Sequence, residues 1–175
     1  MQLEMLYIAR HAPAEEFHPA HPGQDAPRRL TASGERLATT VFNALHERGF
    51  TPEHIYTSPF ARTFRTAELA REAFHLRQPV ESVAGLAPAG NRDDVRALLL
   101  NSPYRTAMMV GHEPAVSQWV SELCSRSGSI AQYFERAGVT LVRVYELGGH
   151  LRGELVFHAP PSLFAGADEL EPDGP

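Results

Sequence analysis

The sequence predicts an α/β fold, a sandwich whose main sheet is largely parallel, and three observations support this prediction. Short apolar runs of strand length alternate with amphipathic helical segments along the 175 residues. The chain shows no repeat and no sign of a second unit, and its length suits one domain. Three of the apolar runs are followed within a few residues by histidine or arginine, and α/β sheets bind ligands at the carboxyl ends of their strands.

The predicted elements follow one another in a regular order. Apolar runs mark the strands, and apolar residues three or four positions apart mark the helices. Proline and glycine mark several of the boundaries, since neither readily continues a helix. The order is a strand at 3–9, a helix between 31 and 49, a strand at 54–57, a helix at 63–74, a strand at 79–83, a helix at 93–100, a strand at 106–110, a helix at 114–124, and a hairpin of 139–147 with 151–158.

Two segments lack any periodicity. Residues 15–29 are polar and rich in proline, which predicts a long surface loop of the kind that is often functional. The residues after Pro160 end in a polar, acidic stretch that predicts a solvated tail. We therefore expect a single domain at residues 1–160 and a C-terminal tail at 161–175.

Composition excludes several classes of function. The net charge of −5 gives no basic footprint for nucleic acid. No apolar run approaches the ~20 residues that span a bilayer, and the first apolar run lacks the basic flank of a signal peptide. A single cysteine, Cys124, excludes an internal disulfide and a Cys-rich zinc site. These features fit a soluble protein in a reducing, cytoplasmic setting.

Three predicted strand ends carry residues suited to a phosphoryl group. Arg10 and His11 follow the first strand, Arg62 follows the second, and His112 follows the fourth. Guanidinium groups grip phosphoryl oxygens through paired N–H donors, and a neutral imidazole is a competent nucleophile. We expect attack by His11 to give a covalent phosphohistidine, with Arg10, Arg62 and His112 stabilising the oxygens. This chemistry requires neither a metal nor a cofactor.

Four short segments also carry a family resemblance. They read Arg-His-Ala at 10–12, Arg-Arg-Leu-Thr-x-x-Gly at 28–34, Ser-Pro-Phe-Ala-Arg-Thr-Phe-Arg-Thr-Ala at 58–67 and Val-Gly-His-Glu-Pro at 110–114. Their order resembles that of the histidine phosphatase (phosphoglycerate mutase-like) superfamily, and the small size resembles its SixA-type phosphohistidine phosphatases. The likeness spans about residues 3–160. It implies a three-layer α/β/α fold, phosphorylation of His11, and a phosphate pocket completed by Arg10, Arg62 and His112.

Two positions depart from the family pattern. Ala12 stands where the family has glycine, so the backbone there must suit alanine. Arg65 stands where the family has glutamine, three positions after Arg62 on a predicted helix. Arg65 could bind substrate at the rim of the pocket or could face solvent.

The sequence lacks one candidate general acid, and this helps to indicate the class of substrate. Larger members of the family commonly place a glutamate acid in an insertion that here is only residues 84–92, which contain no carboxylate. An alkoxide leaving group needs a proton donor, whereas imidazole leaves as a stable neutral base. This favours phosphohistidine in a partner protein as substrate. Glu113 and Glu15 are the possible proton donors, although Glu113 could instead interact with a helix N-terminus.

Two other functions remain open from the sequence. One is a small-molecule phosphomonoesterase, and the other is a non-catalytic regulatory module that binds phosphate. His18 and His21 in the long loop invite a metal interpretation, but proline neighbours and the lack of a third ligand argue against it.

Overall fold

A computed structural model describes residues 1–18, 22–125, 130, 133–166 and 169–170 of the chain. Its strands are β1 (Met5–Arg10), β2 (His54–Thr57), β3 (Glu81–Ser82), β4 (Thr106–Gly111), β5 (Val139–Leu147) and β6 (His150–Ala159). Its α-helices are α1 (Ala32–Glu47), α2 (Ala61–Ala73), α3 (Arg92–Leu100) and α4 (Ala115–Cys124). Short 3₁₀ helices lie at Pro22–Gln24, Ala84–Leu86 and Pro161–Leu163. Each predicted strand and helix is present, and β3 is shorter than predicted.

The six strands form one mixed sheet in the order β3-β2-β4-β1-β5-β6. Strands β1 to β4 run parallel to one another, while β5 pairs antiparallel with β1 on one side and with β6 on the other. In this register Arg10 lies opposite Gly111, and Thr57 lies opposite Val110. The carboxyl ends of β1, β4 and β2 therefore meet at one edge of the sheet.

Helices cover both faces of the sheet, which confirms the three-layer α/β/α fold. Because side chains alternate along a strand, Tyr7 and Ala9 of β1 join the core under α1 and α2. Leu6 and Ile8 join a second core under α3 and α4, which includes Trp119. Each core is continuous across the central strands, so β1 and β4 are buried on both faces.

The start of α1 is fixed against the exit of β1. The Thr31 side chain accepts a hydrogen bond from Gly34 N at 2.9 Å and thus caps the helix. A Cβ atom at position 34 would lie 2.1 Å from the Pro13 carbonyl oxygen. Only glycine allows this close approach, which holds the segment after His11 beneath the helix.

The C-terminal segment differs from the expected solvated tail where it is described. After the short helix at Pro161–Leu163, Phe164 and Leu170 pack against the core beneath α1 and α2. The Arg48 guanidinium lies 5.4 Å from the centre of the Phe164 ring. Residues 171–175 lie outside the described part, and the domain limits at 160 and 161 stay a prediction.

None of the helices in the described part of the chain has the length and apolar character of a membrane-crossing segment.

Candidate active site

The structure brings the three predicted strand ends together in one cationic cup. His11 follows β1, Arg62 lies in the first turn of α2, and His112 follows β4. All three are buried, with 8%, 4% and 3% of their surface exposed. Arg62 Nε lies 3.3 Å from His11 Nε2, and the two imidazole centres are 5.4 Å apart. Arg62 and His112 thus border the His11 imidazole, although they lie 51 and 101 positions away from it along the chain.

The tautomer of His11 follows from its hydrogen bonds. Nδ1 lies 2.8 Å from the Ala12 carbonyl oxygen, which can only accept, so Nδ1 carries the hydrogen. Nε2 then has a lone pair, and Arg62 Nε donates toward it. Both contacts agree on one tautomer. It leaves Nε2 of His11 as the nucleophilic atom facing the guanidinium.

The loop that precedes β5 holds the Arg10-His11 backbone from the other side. Arg10 N donates to the Gly138 carbonyl at 3.1 Å, and Ala137 N donates to the His11 carbonyl at 3.2 Å. The Arg10 side chain donates from Nη1 to the Phe134 carbonyl at 2.5 Å. This loop orients Arg10, and the sequence carries no local signal of its role.

Ala12 fits its position without strain. The non-glycine residues with positive φ in the described part are His75 and Ala137, and Ala12 is not one of them. Ala12 N donates to Thr66 Oγ1 at 3.1 Å, and Thr66 Oγ1 donates to the Arg62 carbonyl at 2.7 Å. Thr66 therefore ties the His11 loop to α2.

His112 is oriented by a serine that the sequence analysis did not single out. His112 Nε2 lies 2.9 Å from Ser58 Oγ, and that oxygen already accepts from Phe60 N at 3.3 Å. The Ser58 hydroxyl can donate to Nε2, and in that arrangement the hydrogen of a neutral His112 lies on Nδ1. Nδ1 is buried and has no hydrogen-bond partner within the described part of the chain. It is thus available to donate to a phosphoryl oxygen.

Burial and nearby cations keep both imidazoles neutral. Burial lowers the pKa of His11 well below its usual 6.5, and the positive Arg62 and Arg10 lower it further. Burial and then the charge of Arg62 lower the pKa of His112 to about 3. At physiological pH, each ring therefore carries one hydrogen and keeps a lone pair on its other nitrogen.

Arg62 also contacts the long loop at residues 15–29. Its Nη1 donates to the Asp25 carbonyl at 2.8 Å, and its Nη2 lies 3.2 Å from Asp25 Oδ2. Burial raises the pKa of the Asp25 carboxyl, but Arg62 and Arg28 outweigh this effect and the net pKa is below its usual value. Asp25 is therefore ionised at the pocket.

Comparison with known proteins agrees with this geometry. Residues 6–88 match the histidine phosphatase superfamily, branch 1. The chain is 27% identical over 146 residues to the phosphohistidine phosphatase SixA of Escherichia coli strain K12, covering 82% of this chain and 87% of that protein. These matches support the assignment of the chain to the histidine phosphatase superfamily, with a likeness to SixA.

Two further likenesses fit this assignment. The chain is 29% identical over 161 residues to an uncharacterized protein of Picosynechococcus, covering 89% of this chain and 96% of that one. The solved structure of the protein histidine phosphatase SixA complexed with tungstate shares the fold, with a TM-score of 0.79 and 24% identity. It covers 92% of this chain and 99% of that one. The match to the superfamily and the likeness to SixA support phosphatase activity.

Arg65 lies in a different environment from Arg62. Its Nε donates to Glu35 Oε1 at 2.8 Å, and Glu68 and Glu72 also lie within ion-pair distance. The side chain is 36% exposed. A role for Arg65 in substrate binding gains no support from these contacts and stays a prediction.

The two candidate proton donors are held by structural contacts. Glu113 Oε1 accepts from Ser117 Oγ at 2.5 Å and from Phe134 N at 3.2 Å, which links α4 to the loop that holds Arg10. Glu15 Oε2 accepts from Arg29 N at 3.0 Å and closes the base of the long loop. Their roles as acids stay predictions.

The short segment before α3 leaves an open cleft beside His112. The cleft has a volume of about 180 Å³ and is lined by Leu86, Pro88 and Trp119. The segment contributes backbone and apolar side chains to this wall and no carboxylate. Residues 84–92 therefore supply no acid to this cleft, although Glu113 also lines it.

No group of three or more His, Cys, Asp or Glu side chains in the described residues is placed to hold a metal ion. His18 is described, whereas His21 lies outside the described residues.

The low pKa of His112 predicts a pH-dependent stability. The pKa is about 3 in the folded protein and about 6.5 when unfolded, so the unfolded chain binds the proton more tightly. His112 by itself should lower the free energy of unfolding by about 2 kcal/mol as the pH falls from 6.5 to 5, in addition to the contribution of His11. Urea denaturation at a series of pH values measures this. A His112→Asn variant should show a shallower slope, and identical slopes would contradict the assignment.

Proposed function

We propose that this protein removes the phosphoryl group from a phosphohistidine of a partner protein, through a covalent phosphohistidine at His11. The observation that supports this most directly is the arrangement around His11 Nε2. Its lone pair faces a buried guanidinium at 3.3 Å, and a neutral His112 lies alongside. Arg10, on the other side of the cup, supplies a second cation.

The reaction has two steps. In the first, His11 Nε2 forms a bond to phosphorus while the bond from phosphorus to the substrate imidazole breaks. The free ring nitrogen of the substrate takes up a proton from solvent, so the imidazole leaves neutral. In the second, water attacks the phosphohistidine and loses a proton to solvent, which restores the proton used in the first step; inorganic phosphate leaves, and His11 regains its lone pair. Arg10, Arg62 and His112 Nδ1–H stabilise the phosphoryl oxygens in both steps.

The site favours phosphohistidine as substrate because its described part offers no positioned acid to protonate a leaving group. Residues 84–92 carry no carboxylate, and the carboxylates of Glu113 and Glu15 accept hydrogen bonds from other groups. A phosphorylated imidazole can be protonated by solvent on its other ring nitrogen before it leaves, whereas an alkoxide needs an acid positioned at the leaving oxygen. The proposed partner is thus a phosphorylated protein, and a cytoplasmic location stays a prediction.

Paired assays test the proposed substrate class. A histidine-phosphorylated protein and a panel of phosphate monoesters should be compared by kcat/KM at the same pH. Without a positioned acid the esters should be turned over at least about 100-fold less efficiently, since general acid catalysis is worth about 10² to 10⁴. Equal or better turnover of an ester would favour a phosphomonoesterase. Absence of turnover on both classes would favour a phosphate-binding module.

A further inference from the structure

The donors of Arg62 that suit a phosphoryl group are already engaged in the resting protein. Nε and Nη2 of a guanidinium donate from the same edge and can hold two oxygens of one anion. Here Nε faces His11 Nε2 at 3.3 Å, and Nη2 faces Asp25 Oδ2 at 3.2 Å. An internal carboxylate oxygen therefore lies next to the nucleophile, on the edge that would grip a phosphoryl group.

Asp25 is held in this place by its own cation. Arg28 Nε donates to Asp25 Oδ1 at 2.8 Å, so one carboxylate bridges two guanidinium groups. Arg28 Nη1 in turn donates to the Glu15 carbonyl at 2.6 Å. The Asp25 side chain is 23% exposed and that of Arg28 is 18% exposed. This is a built contact and not a freely moving surface side chain.

The backbone of the same loop is also docked. Ala61 N, at the start of α2, donates to the Ala26 carbonyl at 2.9 Å, and Arg62 Nη1 donates to the Asp25 carbonyl. The charges of Asp25 and Arg28 both reach His112, with opposite effects on its pKa.

We infer that Asp25 sets the affinity of this site for phosphoryl groups by occupying the position of one phosphoryl oxygen on Arg62 until substrate displaces it. The inference rests on the proposed function of the pocket. An incoming phosphoryl group replaces the carboxylate at Nη2, while Arg28 keeps hold of the displaced side chain. When the product phosphate loosens, Asp25 returns to Arg62 and favours release. Asp25 therefore weakens oxyanion binding and prevents the product from saturating the site.

Direct binding measurements test this role. Isothermal titration calorimetry with tungstate and with inorganic phosphate should compare the wild type, Asp25→Asn and Glu16→Gln. Glu16 is an exposed residue of the same loop, so Glu16→Gln removes the same charge away from Arg62. Asp25→Asn should tighten oxyanion binding by about fivefold or more. In this variant the anion no longer has to displace a carboxylate from Arg62 before it binds. Glu16→Gln should stay within about twofold.

An asparagine could still donate or accept at Arg62, so Asp25→Ala serves as a second variant and should also bind tungstate more tightly. Unchanged or weaker binding in both variants, with an unchanged melting temperature, would overturn the inference. Weaker binding would indicate that Asp25 positions Arg62 instead. These measurements need no turnover, so a failure to hydrolyse phosphohistidine would leave them interpretable. Absence of oxyanion binding in all four proteins would overturn the inference and the phosphate pocket together.

Discussion

Replacing His11 with alanine is expected to abolish phosphoryl labelling and to reduce turnover by about a thousandfold or more. The reason is that Nε2 of His11 is the atom whose lone pair faces the Arg62 guanidinium at 3.3 Å. Incubation with a ³²P-labelled phosphohistidine protein, followed by an alkaline quench because phosphohistidine is labile in acid, should trap label on the wild type alone. The fold should persist, since the ring supplies little apolar packing at the end of β1.

His46→Ala provides a control for the loss of an imidazole. His46 lies on α1, where its Nδ1 is 2.9 Å from Thr51 Oγ1 and its ring contacts Phe74. This variant should accept label like the wild type. Label retained by His11→Ala would show that another residue is the nucleophile, and the proposed mechanism would then be wrong.

Replacing Arg62 with alanine is expected to lower kcat/KM by about 10² to 10³, because a buried cation that stabilises charge in the transition state is lost. Arg62 is 4% exposed, so water does not substitute fully for the missing guanidinium. Arg62→Lys keeps the charge and loses the paired donors, so kcat/KM should still fall by about tenfold. Steady-state kinetics on the phosphohistidine substrate measures both variants, and circular dichroism verifies that they fold.

Arg65→Ala is the matched control for this loss. Arg65 lies on the same helix one turn further on, with its guanidinium on Glu35 at 2.8 Å. Its removal should change kcat/KM by no more than about twofold, since it breaks partly exposed ion pairs. A loss in Arg65→Ala as large as that in Arg62→Ala would support the substrate-binding role considered from the sequence and would require a wider pocket.

Most of the fold could be predicted because apolar residues recur at regular spacing in its helices and strands. The helices that cover the sheet show apolar residues such as Leu37, Val41 and Leu45 at helical spacing, and all three are buried. The central strands are apolar on both faces, as buried parallel strands are. The strand predicted at 79–83 is only Glu81–Ser82 in the structure, because both residues are exposed at the edge of the sheet and pair with β2 alone.

The site could be predicted in part, for a reason that lies in sheet geometry. Arg10, His11 and His112 sit at the ends of adjacent parallel strands, so their proximity follows from the strand order. Asp25 and Phe134 could not be found in this way. Their contacts to Arg62 and Arg10 span 37 and 124 residues and come from irregular loops, which carry no periodic signal. Ser58 lies within a recognised motif, but its bond to His112 depends on a rotamer.

The position of His11 between the two central strands has a consequence for local opening. Its amide donates to the Gly111 carbonyl at 3.1 Å, which extends the β1–β4 ladder by one hydrogen bond. This hydrogen bond ties the His11 backbone to the central strands, so we expect its amide proton to exchange with solvent more slowly than the amides of the exposed residues in the described part of the loop at 15–29. One wall of the cup is thus anchored to the sheet, whereas the other belongs to a surface loop. We therefore expect the loop around Asp25 to move when substrate enters, while the His11 imidazole keeps its orientation through each catalytic cycle.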